Sequence, residues 1–109
     1  VRSKKLMRII KTSTYEKWFR RLRDRNAQAR INARLRCIGV HGEVVGDFRV
    51  LGDKVIELRF DMGPGYRIYA TVEKEELLLL LVGGDKSTQD ADIRKAKELS
   101  RLWRDKDEA

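Results

Sequence analysis

Leu77-Leu78-Leu79-Leu80-Leu81-Val82-Gly83-Gly84-Asp85-Lys86-Ser87-Thr88-Gln89 is the stretch on which the fold of this chain turns. Six apolar residues in a row are too few to span a membrane and too uniformly apolar for a strand with one wet face. They predict a central strand covered on both sides. Two glycines then interrupt the run, and a helix starts near Ser87 or Thr88. It turns Ile93, Ala96, Leu99, Leu102 and Trp103 inward. Adjacent glycines permit close backbone approach to a ligand, and a helix start offers free N–H groups to an anion. Lys86 stands beside that start. The competing reading is an ordinary turn with a solvated lysine.

Immediately upstream, Glu73-Lys74-Glu75-Glu76 reads as a charged hairpin tip. Before it comes a second glycine block, Gly63-Pro64-Gly65-Tyr66-Arg67. It turns the chain into a strand where Ile68, Ala70 and Val72 alternate with Arg67, Tyr69 and Thr71. In the strand before that, Ile56, Leu58 and Phe60 alternate with Val55, Glu57 and Arg59. Phe48-Arg49-Val50-Leu51 is a further strand, joined by the turn Gly52-Asp53-Lys54. His41-Gly42 and Gly46-Asp47 bound a loop.

The amino-terminal third has a different period. Leu6-Met7-Arg8-Ile9-Ile10 reads as a strand. Ser13-Thr14-Tyr15-Glu16 fits a capping box with Ser13 as N-cap. Tyr15, Trp18, Phe19 and Leu22 make one apolar helix face, and Ala27, Ile31, Leu35 and Ile38 make another. The polar Asp24-Arg25-Asn26 connects the two helices as a hairpin. The order is β-α-α-β-β-β-β-α, an α+β fold with the helical hairpin on an antiparallel-rich sheet and a carboxy-terminal helix. Residues 1–109 read as one domain, with 1–5 a disordered or non-native start and 104–109 a polar tail.

Composition narrows the function. The chain has 109 residues, 39% of them charged, and a formal net charge of +8. Residues 1–40 carry a balance of +11 and residues 41–109 a balance of −3. An acidic partner for a basic helical face follows. Cys37 and His41 are the only residues of their kinds, so there is no internal disulfide and no Cys/His zinc site of ordinary spacing. No membrane span and no secretory leader are evident, and a cytoplasmic setting is the expectation.

The open face of the sheet is expected to present Arg59, Arg67 and Tyr69 together, with Lys86 arriving beside them. Arginines bind phosphate bidentately and stay protonated. Tyr66 and Tyr69 are candidate stacking platforms for an extruded base. That set suits an RNA phosphodiester and its cleavage by the RNA's own 2′-hydroxyl, which needs positioning and charge stabilisation rather than a metal. Arg20, Arg21, Arg23, Arg30 and Arg34 line the helices, either as a solvated face or as a contact for an anionic polymer. Glu57 reads as a surface ion pair with Arg59 or Arg67, Asp85 as a turn cap, His41 as a helix-end residue and Cys37 as a small packed one. Gly83–Thr88 is not a Walker loop, because Asp85 interrupts the Gly-Lys-Ser order.

Ile56-Glu57-Leu58-Arg59, Gly63-Pro64-Gly65-Tyr66-Arg67-Ile68-Tyr69 and the segment from Leu80 through Gly83-Gly84-Asp85-Lys86-Ser87-Thr88-Gln89-Asp90-Ala91-Asp92-Ile93 resemble the HigB-like addiction-module killer branch of the RelE/ParE toxin superfamily. The similarity runs from about Met7 to Trp103. It implies a RelE-like fold, no metal and no small-molecule cofactor. It also implies a cognate antitoxin of helix-turn-helix type. RelE and HigB toxins cleave mRNA in the ribosomal A site, so ribosome and mRNA become the implied partners, with Arg59, Arg67 and Lys86 as the implied catalytic residues. ParE toxins share the fold and inhibit DNA gyrase instead. The chain departs from RelE at Val55 and Glu57, where RelE has lysines, and at Ile93, where RelE has a tyrosine. Glu57, Asp85, Tyr66, Tyr69 and His41 remain open as acid or base. The reading is a ribosome-dependent mRNA endoribonuclease toxin, against a ParE-like gyrase inhibitor or a basic RNA-binding module.

Overall fold

The computed structural model describes residues 5–108, so the expectation for the start of the chain lies, over residues 1–4, outside the described residues, as does Ala109. The element order is β1 (Arg8–Lys11), α1 (Ser13–Arg21), α2 (Arg25–His41), β2 (Phe48–Gly52), β3 (Val55–Arg59), β4 (Tyr66–Glu73), β5 (Leu77–Asp85) and α3 (Gln89–Glu108). A single 3₁₀ turn, Lys86–Thr88, leads into α3. The α+β order read from the sequence is the observed one. No described helix is long and apolar enough to cross a membrane.

The five strands form one mixed sheet in the order β1-β5-β4-β3-β2. β1 runs parallel to β5, and every other pair is antiparallel. β5 therefore lies inside the sheet, and Leu78, Leu79, Leu80 and Leu81 are all at most 1% exposed. Its even run of leucines serves two cores. Leu78 and Leu80 pack with Tyr15, Ile31, Leu35 and Ile38 beneath α1 and α2. Leu79, Leu81 and Val82 pack with Tyr69 and Ala96, and with the half-buried Ile93, Leu99 and Trp103 of α3. Leu81 and Val82 share one face because the β4–β5 register slips between Tyr69 and Ala70, leaving Leu81 as a bulge.

Helices thus cover both faces of the sheet, and the face expected to be open lies largely under α3. Leu102, expected inside, is 54% exposed. Cys37 is exposed rather than packed. The first helix is capped one residue earlier than its sequence suggests. The Thr12 hydroxyl accepts from the Tyr15 N–H at 3.2 Å and donates to the Leu80 carbonyl at 2.8 Å. One side chain thereby caps α1 and ties it to the central strand, which Ser13 is not placed to do. Glu16 forms a wide i,i+4 pair with Arg20 instead, at 3.8 Å.

Candidate phosphate-binding cleft

The cleft is built where β3 ends and β4 begins. Arg59 and Arg67 are direct cross-strand partners, so their side chains leave the same face of the sheet. The connection between them turns at 62–65, closed by the Gly65 N–H donating to the Met62 carbonyl at 3.0 Å. Gly63 (φ 51°) and Gly65 (φ 79°) take the left-handed backbone that this tight path requires. A Cβ on Gly65 would stand 3.0–3.1 Å from three stem carbons of Lys86. The lysine stem therefore lies across the glycine, and its ammonium reaches the same opening. The cleft has a volume of about 450 Å³, and Arg59, Arg67 and Lys86 all line it, with Asp47 and Asp61 beside them.

The three cations differ in how they are held. Arg67 is only 5% exposed, yet its Nε has no hydrogen-bond partner. Among the described residues its one acceptor is the Tyr66 carbonyl, 3.2 Å from Nη1. A buried guanidinium without a counter-charge is costly unless an anion joins it. Arg59 has a loose partner, with Nε 3.7 Å from Asp47 Oδ2. Lys86 is exposed.

Arg34 shapes the wall of the cleft. Its Nε donates to the Val45 carbonyl at 2.8 Å, Nη1 to the Arg59 carbonyl at 2.7 Å and Nη2 to the Asp47 carbonyl at 2.7 Å. The guanidinium lies 4.8 Å over the Phe60 ring. Gly46 (φ 88°) has no Cβ because one would sit 2.7 Å from Arg34 Nε. Burial lowers the Arg34 pKa and the nearby Asp47 opposes that shift. This arginine was expected to hold RNA with the other helical arginines. The structure spends its donors on three backbone carbonyls. Arg20, Arg21, Arg23 and Arg30 are exposed, as expected. Arg30 Nη1 lies 3.7 Å from Met62 Sδ, and Met62 also lines the cleft, so the basic helix borders the opening.

Several expected roles are corrected. Tyr69 is fully buried beneath α3 and Tyr66 is 8% exposed, so neither offers a free ring face to a base. Tyr66 packs edge-on against Trp18 at 6.3 Å. Both phenols are held protonated, chiefly by burial. Asp24 and Asp85 add to this at Tyr66, and Glu57 does so at Tyr69. The Tyr69 hydroxyl approaches Glu57, its cross-strand partner, without reaching hydrogen-bond geometry. Glu57 is fully buried and pairs with neither Arg59 nor Arg67. It accepts from Gln89 Nε2 at 2.8 Å and faces Arg49 Nη2 at 3.3 Å.

The two adjacent glycines serve packing, not a ligand. A Cβ on Gly83 would fall 2.1 Å from Trp18 Cε3, and one on Gly84 would fall inside the Asp92 carboxylate. The strand runs straight through both. The helix start is likewise occupied. Asp85 caps the turn and accepts from the Ser87 N–H at 2.8 Å, so the N–H groups expected for an anion already have its carboxylate, while the Thr88 hydroxyl donates to Asp92. Burial raises the Asp92 pKa against the lowering effect of the Thr88 bond. His41 ends α2, its Nδ1 2.8 Å from the Cys37 carbonyl. It lines a hollow of about 480 Å³ with Lys74 and Glu76, at the opposite end of β4 and β5 from the cleft. That hollow mixes both signs of charge and, among the described residues, contains no buried cation. Among the acid–base candidates, none remains free in the cleft. The carboxylates that do line it, Asp47 and Asp61, belong to no motif in the sequence. Their signal was position alone: Asp47 follows Gly46 at the entry to β2, and Asp61 stands just before the glycine turn that leads to β4.

These features define a small α+β protein with a cationic cleft at one end of a mixed sheet and a basic helix beside it. Residues 17–101 match the family described as Phage derived protein Gp49-like (DUF891), and the chain belongs to that family. The family is known to include RelE-like toxins of toxin–antitoxin systems. The chain is also 42% identical over 94 residues to an "Uncharacterized protein" of Haemophilus influenzae, covering 86% of this chain and 93% of that relative.

Proposed function

We propose that this protein is the toxin of a toxin–antitoxin pair and acts as a RelE-like, metal-independent endoribonuclease on ribosome-bound mRNA. The observation that carries the reading is the buried Arg67 guanidinium. Its buried Nε is unpartnered, and the residue lines a cleft shared with Arg59 and Lys86. Such an arrangement fits a phosphodiester whose charge grows in the transition state, where preorganised donors do most of their work. Arg67 and Arg59 hold the non-bridging oxygens, and Lys86 stands toward the leaving side. Arg30, at the mouth, with Arg20, Arg21 and Arg23 on the same helical hairpin, contacts ribosomal RNA. A neighbouring antitoxin, of helix-turn-helix type by resemblance, masks the cleft.

The test is incubation of the purified protein with programmed ribosomes, read by primer extension on the mRNA, beside a gyrase cleavage assay. Expression should arrest growth, and the adjacent gene should relieve the arrest. Cleavage should survive chelation of free divalent ions as long as the ribosomes stay intact. Intact mRNA together with trapped gyrase–DNA complexes would replace this reading with the ParE-like one. RNA binding with neither activity would leave a basic RNA-binding module.

A further inference from the structure

We propose that Asp61 is the general base of the cleft. The inference rests on the endoribonuclease reading and supplies the acid–base chemistry that reading lacks. Cleavage by the RNA's own 2′-hydroxyl requires a group that takes up the hydroxyl proton at neutral pH. Arginine and lysine are protonated there and cannot. Tyr66 and Tyr69 are buried, and burial keeps both phenols protonated. Glu57 is fully buried and bonded to Gln89. Asp85 is engaged by Ser87, and His41 lies at the far end of the sheet.

Two carboxylates remain in the lining of the cleft, Asp47 and Asp61. Asp47 already faces Arg59 Nε at 3.7 Å, and its backbone is pinned by Arg34. It acts as a positioning residue for Arg59. Asp61 is exposed and forms no ion pair among the described residues. It directly follows Phe60, whose N–H donates to the Tyr66 carbonyl at 3.0 Å, so its backbone is anchored at the cleft's edge. The step is then complete. Asp61 takes the 2′-hydroxyl proton as the 2′-oxygen forms its bond to phosphorus. The bond from phosphorus to the 5′-oxygen breaks, and its electron pair goes to that oxygen, which takes a proton from the Lys86 ammonium. The products are a 2′,3′-cyclic phosphate and a 5′-hydroxyl end. Asp61 and Lys86 then return to their starting states by exchange with water.

The test is single-turnover cleavage on programmed ribosomes by wild type, Asp61→Asn, Asp61→Glu and Arg67→Ala, with ribosome affinity measured for each. Asp61→Asn should cleave about 10²–10⁴ times more slowly, the usual worth of a positioned base. Its affinity should be unchanged or tighter, since a negative charge has left an anion site. Asp61→Glu should recover part of the rate. If Asp61→Asn cleaves at the wild-type rate while Arg67→Ala is inactive, Asp61 is not the base and the cleft reading stands. If Asp61→Asn loses affinity and rate together, Asp61 is a binding residue and the proposal falls. If wild type cleaves nothing, the endoribonuclease reading falls first and takes this inference with it.

Discussion

Replacing Arg34 with alanine separates structural arginines from those that meet RNA. Arg34 makes three charge-assisted hydrogen bonds, to Val45, Arg59 and Asp47, at 2.7–2.8 Å, and lies over Phe60. A hydrogen bond involving a charged group contributes about 1.5–3 kcal/mol net. Three at full value would exceed about 4.5 kcal/mol. The carbonyls are near the surface, however, and water replaces part of what the guanidinium gave. The stacking on Phe60 adds about 0.5–1 kcal/mol. A loss of roughly 2–4 kcal/mol is the net expectation, within the range for breaking a partly buried hydrogen-bond network. At about 4–8 °C per kcal/mol for a domain near this size, the melting temperature should fall by roughly 8–32 °C. Arg34→Lys should recover only part of it, because one ammonium cannot reproduce the planar fork. Charge reversal at Arg23 and Arg30, both exposed, is the contrast. It should leave the melt within a few degrees and lower ribosome affinity. The slope of log affinity against log salt should shrink by roughly 0.7–0.9 for each phosphate that is no longer neutralised. Thermal and urea unfolding with a salt series on ribosome binding make the comparison. Arg34→Ala melting within about 2 °C of wild type, as a solvated side chain would, refutes the clamp.

Arg67→Ala should reduce cleavage by about a hundred- to a thousandfold, or roughly 2.7–4 kcal/mol of transition-state stabilisation. Its melting temperature should hold or rise, since a buried and uncompensated charge is removed; a sharply lowered melt would show that the guanidinium is structural. Gly83→Ala should lower stability by about 1–3 kcal/mol, because the new methyl would fall 2.1 Å from the Trp18 ring. Tyr15 and Tyr66 both pack against that ring, and thermal melts of the variant would report the strain. Asp92 has a raised pKa, so above its unfolded value of 3.8 the folded state holds the proton longer. Wild-type stability should therefore fall, relative to Asp92→Asn, as pH rises from that value through the raised one, and the two should run parallel below it. Urea unfolding from pH 3 to pH 7 reads the difference, and a gap that widens in wild type's favour with rising pH would overturn the sign.

The strands, the helices and their order were legible from periodicity and turn residues. The strands between Val55 and Val72 alternate sides from one residue to the next, and the apolar run of β5 has no wet side at all. The grouping of Arg59, Arg67 and Lys86 was legible too, because two of them stand on the polar side of neighbouring strands and the third follows the central strand directly. Pattern can assign a residue to a face, but it does not reveal what covers that face. Arg34 and Arg30 are four residues apart on one helix and chemically identical. One is consumed by backbone carbonyls of the loop after α2 and of the end of β3 and the other is exposed, a difference made by where those segments come to lie. Glu57 and Tyr69 alternate as surface residues would, and only the docking of α3 makes them buried. Gly83 and Gly84 have the composition of a ligand loop, while Trp18, distant in sequence, explains the first and Asp92, on the helix that follows, explains the second. Asp61 is one aspartate near a turn, and a single residue of that kind has no pattern. Local period and composition act over a few residues and so are written in the sequence. Burial, hydrogen-bond partners and the sharing of a cleft arise between segments tens of residues apart, and only the packed tertiary structure decides them.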